Sequence, residues 1–206
     1  PHYLMNFERE FKEFVIDYFC EEYTLGRTPH PCLACNDKIK FSFLFQRAMA
    51  LKADYIATGH YARIKKSEDA YRLLKGIDPS KDQSYVLFNL NQKLLERTLL
   101  PVGWYPKSEI RDLAFNAGLP VADKADSQEI CFIPDGDYRS FINERVKTIS
   151  GDIVDSEGTV VGSHEGIQNF TVGQRRGLGL ATGKPLFVIG VNPSNSQVIV
   201  GGKEQL

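Results

Sequence analysis

The chain is predicted to be α/β over residues 1–147 and all-β over residues 148–206. Two stretches carry that reading. In residues 37–60 an amphipathic helix pattern runs into the apolar segment ADYIAT, which stops at Gly59-His60. A helix, a buried strand and a glycine at the strand's carboxyl end mark an α/β layer, in which ligands sit beyond the strand ends. From residue 148 the pattern changes to short β-rich segments, GDIVD, TVVGSH, GIQNFTV, PLFVIGV and QVIVGG, separated by Gly, Asn, Pro and Ser. Strands so short and so often interrupted form a small sheet of their own. The composition, 42% hydrophobic and 25% charged, is that of an ordinary globular chain.

Taken in order, residues 6–23 place Phe7, Phe11, Phe14, Val15, Tyr18 and Phe19 at helical spacing, and Gly26 follows as a stop. Cys20 falls on or near that apolar face, as a small core residue does. Pro29 and Pro31 hold the next stretch out of helix, because proline fixes φ and restrains the residue before it. Asn36 or Asp37 is the expected cap of a helix over 37–51 that aligns Ile39, Phe41, Leu44 and Phe45. The C-x-x-C pair Cys32 and Cys35 then lies at a helix mouth, where unpaired N–H groups favour a thiolate. YARIKK and YRLLKG are expected to pair as a hairpin around Ser67–Ala70. Residues 82–97 are expected to be helical and LLPVG to turn the chain. PKSEIRDLAFNAG reads as a helix with Pro106 early and Gly118 as its stop. Cys131 follows the polar DSQE and reads either as a buried strand cysteine or as one at an accessible edge where a loop enters a strand, with DGDYRSFINERV as a short helix after it. NPSNS is the hairpin turn between the last two strands.

The net charge of −1 exerts no global pull on nucleic acid, so any such partner is met by local patches. No apolar run approaches the ~20 residues of a membrane span, and no membrane partner is expected. Four cysteines are too few for a disulfide scaffold and suggest a reducing compartment, hence a cytoplasmic location. The abrupt start at Pro1 suggests a fragment.

Several constellations carry chemistry, each beside a plainer reading. Cys32-x-x-Cys35 is half a zinc site, but beyond His30 and Cys20 nothing is spaced to close a tetrahedron. A redox pair of the thioredoxin kind follows a strand, whereas this motif follows a Pro-rich loop. Cys32, Cys35 and Cys131 also match, in number, the thiolates of an iron–sulfur cluster with one open iron. Gly59-His60-Tyr61 reads as a ligand turn or as a satisfied structural histidine. Lys81, Asp82 and Gln83 read as phosphate and base contacts or as a polar helix start. Arg175 and Arg176, flanked by glycines, suit a phosphate backbone; a solvated charge pair is the default. With Lys38, Lys40, Arg63, Lys65 and Lys66 they sketch a discontinuous basic face.

Together these stretches resemble the tRNA-specific 2-thiouridylases. The resemblance spans nearly the whole chain, through GRTPHPCLACNDKIKF, ATGHYAR, KDQSYVLFNL, LLPVGWYPKSEIRDLA, DSQEICFI, FTVGQRRGLG and PLFVIGVNPSNSQVIVGG in order. It implies a Rossmann-like ATP-pyrophosphatase (adenine nucleotide alpha-hydrolase-like) α/β domain, here incomplete, followed by a small central β domain. It further implies catalytic roles for Cys35 and Cys131, with the persulfide on Cys131 and a disulfide between the two after turnover. Gly59 would contact nucleotide. His60, Lys81, Asp82 and Gln83 would contact tRNA, and His30, Pro31 and Cys32 would meet the target base. Where this family often has Asn-Pro-Asp, this chain has His30-Pro31-Cys32, which puts an acid–base role of that aspartate in doubt.

The implied activity is ATP-dependent transfer of persulfide sulfur to C2 of the wobble uridine of tRNA. ATP and Mg²⁺ are the implied cofactors and a sulfur-carrier protein the implied partner. No SGGxDS-type phosphate loop occurs in the chain, and it stops where a C-terminal barrel is expected, so it reads as the middle of such an enzyme. The alternative classes are a non-catalytic tRNA-binding fragment and a metal or iron–sulfur module built on its cysteines.

Overall fold

The computed structural model describes residues 2–124, 130–181 and 183–206. The chain divides into two compact units, Pro1–Phe14 with Cys32–Gln128, and Val15–Pro31 with Glu129–Leu206. Each draws on two separate stretches.

Helix α1 runs over residues 8–24, through Glu8–Phe11, Lys12–Asp17 and Tyr18–Thr24. It stops at Leu25, and Gly26 takes φ +68°, a conformation glycine adopts without strain. Helix α2 runs over residues 31–50, through Pro31–Ala34, Cys35–Leu44 and Phe45–Ala50. Its middle is widened, so that Phe45 N–H donates back to Lys40 O.

In the first unit, β1 (Ile56–Ala57) pairs in parallel with β4 (Thr98–Leu99). The hairpin β2 (Ala62–Lys66) and β3 (Tyr71–Lys75) pairs antiparallel as expected. Phe41 and Phe45 of α2, Ile56, Ala62, Val86, Leu87, Leu90, Leu95 and Leu100 form its core. Three expectations are corrected here. The strand expected over ADYIAT is only the two residues of β1. The helix expected over 82–97 is a 3₁₀ turn, Ser84–Leu87, and then a short helix α3, Gln92–Glu96. Asn91 breaks it by capping α3, its Oδ1 accepting from Leu94 N–H at 3.1 Å. The start of LLPVG is strand rather than turn, because Ile56 N–H donates to Arg97 O at 2.9 Å and Thr58 N–H to Leu99 O at 3.1 Å. Helix α4, Lys107–Asn116, follows Pro106 and ends before Gly118 at φ +67°.

In the second unit, α5 (Tyr138–Asn143) is followed by β5 (Gly151–Val154), β6 (Val160–His164), β7 (Phe187–Asn192) and β8 (Gln197–Gly201). The sheet order is β6-β5-β8-β7, with β5 and β8 parallel and the other pairs antiparallel. Ile153, Val188, Val198 and Val200 are wholly buried in its core. GIQNFTV, expected as a strand, holds a 3₁₀ turn, Ile167–Asn169. A second cluster gathers Phe19, Cys20 and Tyr23 of α1 with Ile133 and Ile142.

Candidate functional site

The first cysteine station is α2. Pro31 opens the helix instead of delaying it, since its missing N–H has no partner to lose in the first turn. Cys32 therefore sits in the first turn, exposed, and Cys35 one turn further in, half-buried. This corrects the expected start at 37: the helix-end field acts on the first turn, where Cys32 stands, and has largely decayed by Cys35. Asn36 and Asp37 are not caps. Asn36 is buried, and its Nδ2 donates to Val86 O at 2.9 Å. Asp37 Oδ1 accepts from Asn89 Nδ2 at 3.0 Å. These two bonds fix the rotation of α2, and with it the side on which Cys35 emerges.

A third polar tie reaches from α2 to the turn after β1. Lys40 Nζ lies 3.4 Å from His60 Nε2, and Thr58 Oγ1 lies 2.7 Å from His60 Nδ1. An ammonium has only donors, so Nε2 accepts from Lys40 and the imidazole proton sits on Nδ1, donated to Thr58. Burial first, and the Lys40 charge second, push the His60 pKa down to about 4. His60 is 7% exposed and lies beside Phe41. Gly59, by contrast, is exposed, with nothing within 4 Å of where a Cβ would stand. A ligand can thus approach its backbone.

Asp82 and Gln83 are committed within the first unit. Gln83 N–H donates to Tyr61 O at 2.8 Å, and Tyr61 N–H returns a bond to Gln83 Oε1 at 3.0 Å. Asp82 Oδ1 accepts from Gly76 N–H at 2.8 Å and Oδ2 from Ser84 Oγ at 2.8 Å. Burial opposes ionisation of Asp82, but these bonds outweigh it and hold its carboxyl below the usual range. Lys81 is half-buried beside them. Of the expected basic face, Lys40 turns to His60, and Arg63 donates to Lys75 O at 2.8 Å while stacking 5.1 Å over Trp104. Lys65 and Lys66 are exposed, and Lys38 pairs with Asp37 at 2.8 Å.

The second cysteine station lies in the other unit. Cys131 is exposed on a turn, not at a strand edge, closed by Ile133 N–H donating to Ile130 O at 2.8 Å. Its neighbours anchor it: Ile133 is 1% exposed, and Phe132 packs edge-on against Phe19 at 5.5 Å. The polar DSQE before it lies outside the described residues. Cys20 is buried in the same cluster. In this unit His30 is half-buried and Pro31 buried, while Arg175 and Arg176 are exposed. Among the described residues no three His, Cys, Asp or Glu side chains stand together as a metal-ligand set. The donors for Mg²⁺ or an iron–sulfur cluster are thus not assembled among them. No helix among the described residues is long and apolar enough to cross a membrane.

Residues 1–135 match the family model of the tRNA methyl transferase HUP domain, and residues 139–202 that of the tRNA methyl transferase PRC-barrel domain. The chain belongs to this family. An α/β HUP domain followed by a small β domain is the order expected from the sequence. The chain is 52% identical over 208 residues to tRNA-specific 2-thiouridylase MnmA 1 of Clostridium botulinum, covering 100% of itself and 58% of that protein. To the MnmA of Geotalea uraniireducens it is 53% identical over 209 residues, covering 100% of itself and 56% of the relative. To that of Carboxydothermus hydrogenoformans it is 50% identical over 210 residues, with coverages of 100% and 58%. The chain therefore spans less than two thirds of the length of the curated relatives it matches.

Within the HUP-matched residues, sequence reasoning missed Thr58 and the tie of Lys40 to His60; a lysine on the helix after the C-x-x-C motif gave no sign of its partner. The burial of His60 makes one prediction. The unfolded chain binds a proton on this histidine below pH 6.5, whereas the folded chain refuses it until about pH 4. Stability is therefore lost as pH falls through that window, by up to about 3 kcal/mol from this group. Urea unfolding at pH 7, 5.5 and 4.5 is expected to show that slope reduced in His60→Gln. Equal slopes in the two proteins would count against a neutral buried imidazole.

Proposed function

We propose that the protein to which this chain belongs transfers sulfur to C2 of a uridine in tRNA, forming 2-thiouridine. The observation that carries this reading is about 52% identity along the whole chain to proteins named tRNA-specific 2-thiouridylases. The family description speaks of methyl transfer. The two thiols Cys35 and Cys131 support thiolation instead, because sulfur delivery needs a nucleophilic sulfur carried on the protein.

ATP would supply activation of the uridine 2-oxygen as a leaving group, and the open backbone at Gly59 suits its approach. Cys131, exposed on its turn, receives a terminal sulfur from a sulfur-carrier protein and holds it as a persulfide. The terminal sulfur bonds to C2 of the uridine as the activated oxygen departs. The Cys35 thiolate then attacks Cys131 Sγ. The persulfide S–S bond breaks, its electron pair stays with the sulfur now on C2, and a Cys35–Cys131 disulfide remains. A thiol reductant supplies two electrons and reopens it. The uridine must leave its stack to be reached, as bases undergoing chemistry do. His30, Pro31 and Cys32 are assigned to that base, and Lys81, Asp82, Gln83, Arg175 and Arg176 to the tRNA beyond it. Asp82 and Gln83 act there chiefly through the backbone they hold, since their side-chain oxygens already accept hydrogen bonds from Gly76, Ser84 and Tyr61. His60 holds the Gly59 turn from behind.

The test is thiouridine formation by the full-length gene product with tRNA, ATP and a persulfide donor, read by nucleoside mass spectrometry. Non-reducing peptide mapping after one turnover is expected to find Cys35 joined to Cys131. A dominant Cys32–Cys35 bridge with Cys131 still a thiol would sink the relay, and no thiouridine would sink the function.

A further inference from the structure

The loop that carries Arg175 and Arg176 is held rigidly. Gly173 N–H donates to Val188 O at 2.8 Å, and Val188 N–H donates to Gln174 O at 2.9 Å. The Gln174 side chain spans the loop, accepting from Thr171 N–H at 3.1 Å and donating to Arg176 O at 3.0 Å. Gly173 and Gly177 take φ +89° and +72°, which other residues adopt only with strain. The loop therefore presents both exposed guanidinium groups from a fixed backbone. Residues 171–181 contain no acidic side chain.

A third arginine reaches this loop from α5. Tyr23, buried in its cluster, stacks on Tyr138 with ring centroids 5.5 Å apart and planes 22° from parallel. Arg139 lies by the hydroxyl end of that ring, its guanidinium 5.9 Å from the Tyr138 centroid and its Nε donating to the Tyr138 hydroxyl at 3.5 Å. Its Nη2 stands 4.0 Å from the point a Cβ on Gly177 would occupy. The guanidinium thus stands close to the loop next to Arg176. The nearby carboxylate of Asp137 accepts from Ser140 Oγ and Ser140 N–H, which chiefly hold it below the usual carboxylate range, and the Arg139 N–H and charge add to this. Arg139 itself is exposed.

We propose that Arg139 completes an anion-binding patch with Arg175 and Arg176 that takes neighbouring phosphates of an RNA strand. The contact with Tyr138 orients the planar guanidinium before the ligand arrives and leaves its Nη groups to a phosphate, which reduces the ordering cost of that contact. RNA is the occupant because the loop edge that carries Arg175 and Arg176 holds no acidic side chain and has the Arg139 guanidinium beside it, the complement of a repeating phosphate chain. The proposal rests on the tRNA reading above, which does not itself require Arg139.

Fluorescence-anisotropy titration of the 206-residue chain with an unmodified tRNA, between about 50 and 200 mM salt, tests it. Arg139→Gln, Arg175→Gln and Arg176→Gln are each expected to lower the slope of log K against log salt by about 0.7–0.9. Arg139→Lys, which keeps the charge, is expected to restore most of that slope. Far-UV dichroism confirms that the variants are folded, and should Arg139→Gln fail to fold, Arg139→Glu and Arg139→Lys are compared instead. An unchanged slope in the Arg139 variants beside a reduced slope in the Arg175 variant overturns this proposal and leaves the tRNA reading standing. No binding by the parent chain, or slopes untouched by all three changes, removes the tRNA reading of this loop as well. Competition by polyglutamate as strong as by tRNA overturns the assignment to RNA.

Discussion

Cys131→Ser is expected to leave no thiolated uridine while the protein keeps its fold. The Cys131 thiol is exposed, and the turn that displays it is anchored by Phe132 and Ile133 rather than by the sulfur. Exchanging sulfur for oxygen at such a surface position changes stability by less than about 0.5 kcal/mol. The hydroxyl cannot accept or release a transferable sulfur, so product falls to background rather than to a reduced rate. Cys20→Ser should do the reverse. Cys20 is buried among Phe19, Tyr23, Ile133 and Ile142, so a hydroxyl there costs about 1–3 kcal/mol and leaves the chemistry intact. Nucleoside mass spectrometry and a urea midpoint on both variants decide the matter. Thiouridine made by Cys131→Ser removes Cys131 from the mechanism.

Gly103→Ala is expected to unfold the first unit, or to destabilise it by at least about 3 kcal/mol. A Cβ on Gly103 would fall inside the contact distance of the Ala62 carbonyl oxygen, backbone that cannot swing aside. Ala62 is wholly buried in the core, and Gly103 O accepts from Ile77 N–H at 3.0 Å, so both sides of the contact are held. The strain would spread into β2 and the Pro101–Trp104 turn, and so into the Tyr61–Gln83 bond pair beside Gly59. Gly59→Ala is the control. Its added Cβ meets nothing within 4 Å, and its stability should stay within about 0.5 kcal/mol of the parent. Thermal unfolding of the two variants separates close packing from glycine flexibility. A Gly103→Ala protein as stable as Gly59→Ala would show that the backbones do not meet as described.

The sequence by itself determined those features that neighbours along the chain decide. The β2–β3 and β7–β8 hairpins, α1 with its Gly26 stop and α4 with Pro106 and Gly118 follow from periodicity and turn chemistry within a dozen residues. The cysteine motifs were legible as chemistry because their residue types are rare and their order along the chain is specific. What only the tertiary structure decided depends on partners far away in sequence. Whether Pro31 ends a loop or starts a helix rests on what α2 packs against, and Asn36 reads as a cap until Val86 supplies a carbonyl across 50 residues. Leu99 reads as turn until β1 pairs with it, since two residues carry no period. His60 reads from sequence as ligand turn or structural histidine, and its side chain lies inward because Lys40 and Thr58 complete its hydrogen bonds. Nothing local in the sequence marks Arg139, whose guanidinium is placed by Tyr138, itself stacked on Tyr23, beside the loop at Gly177.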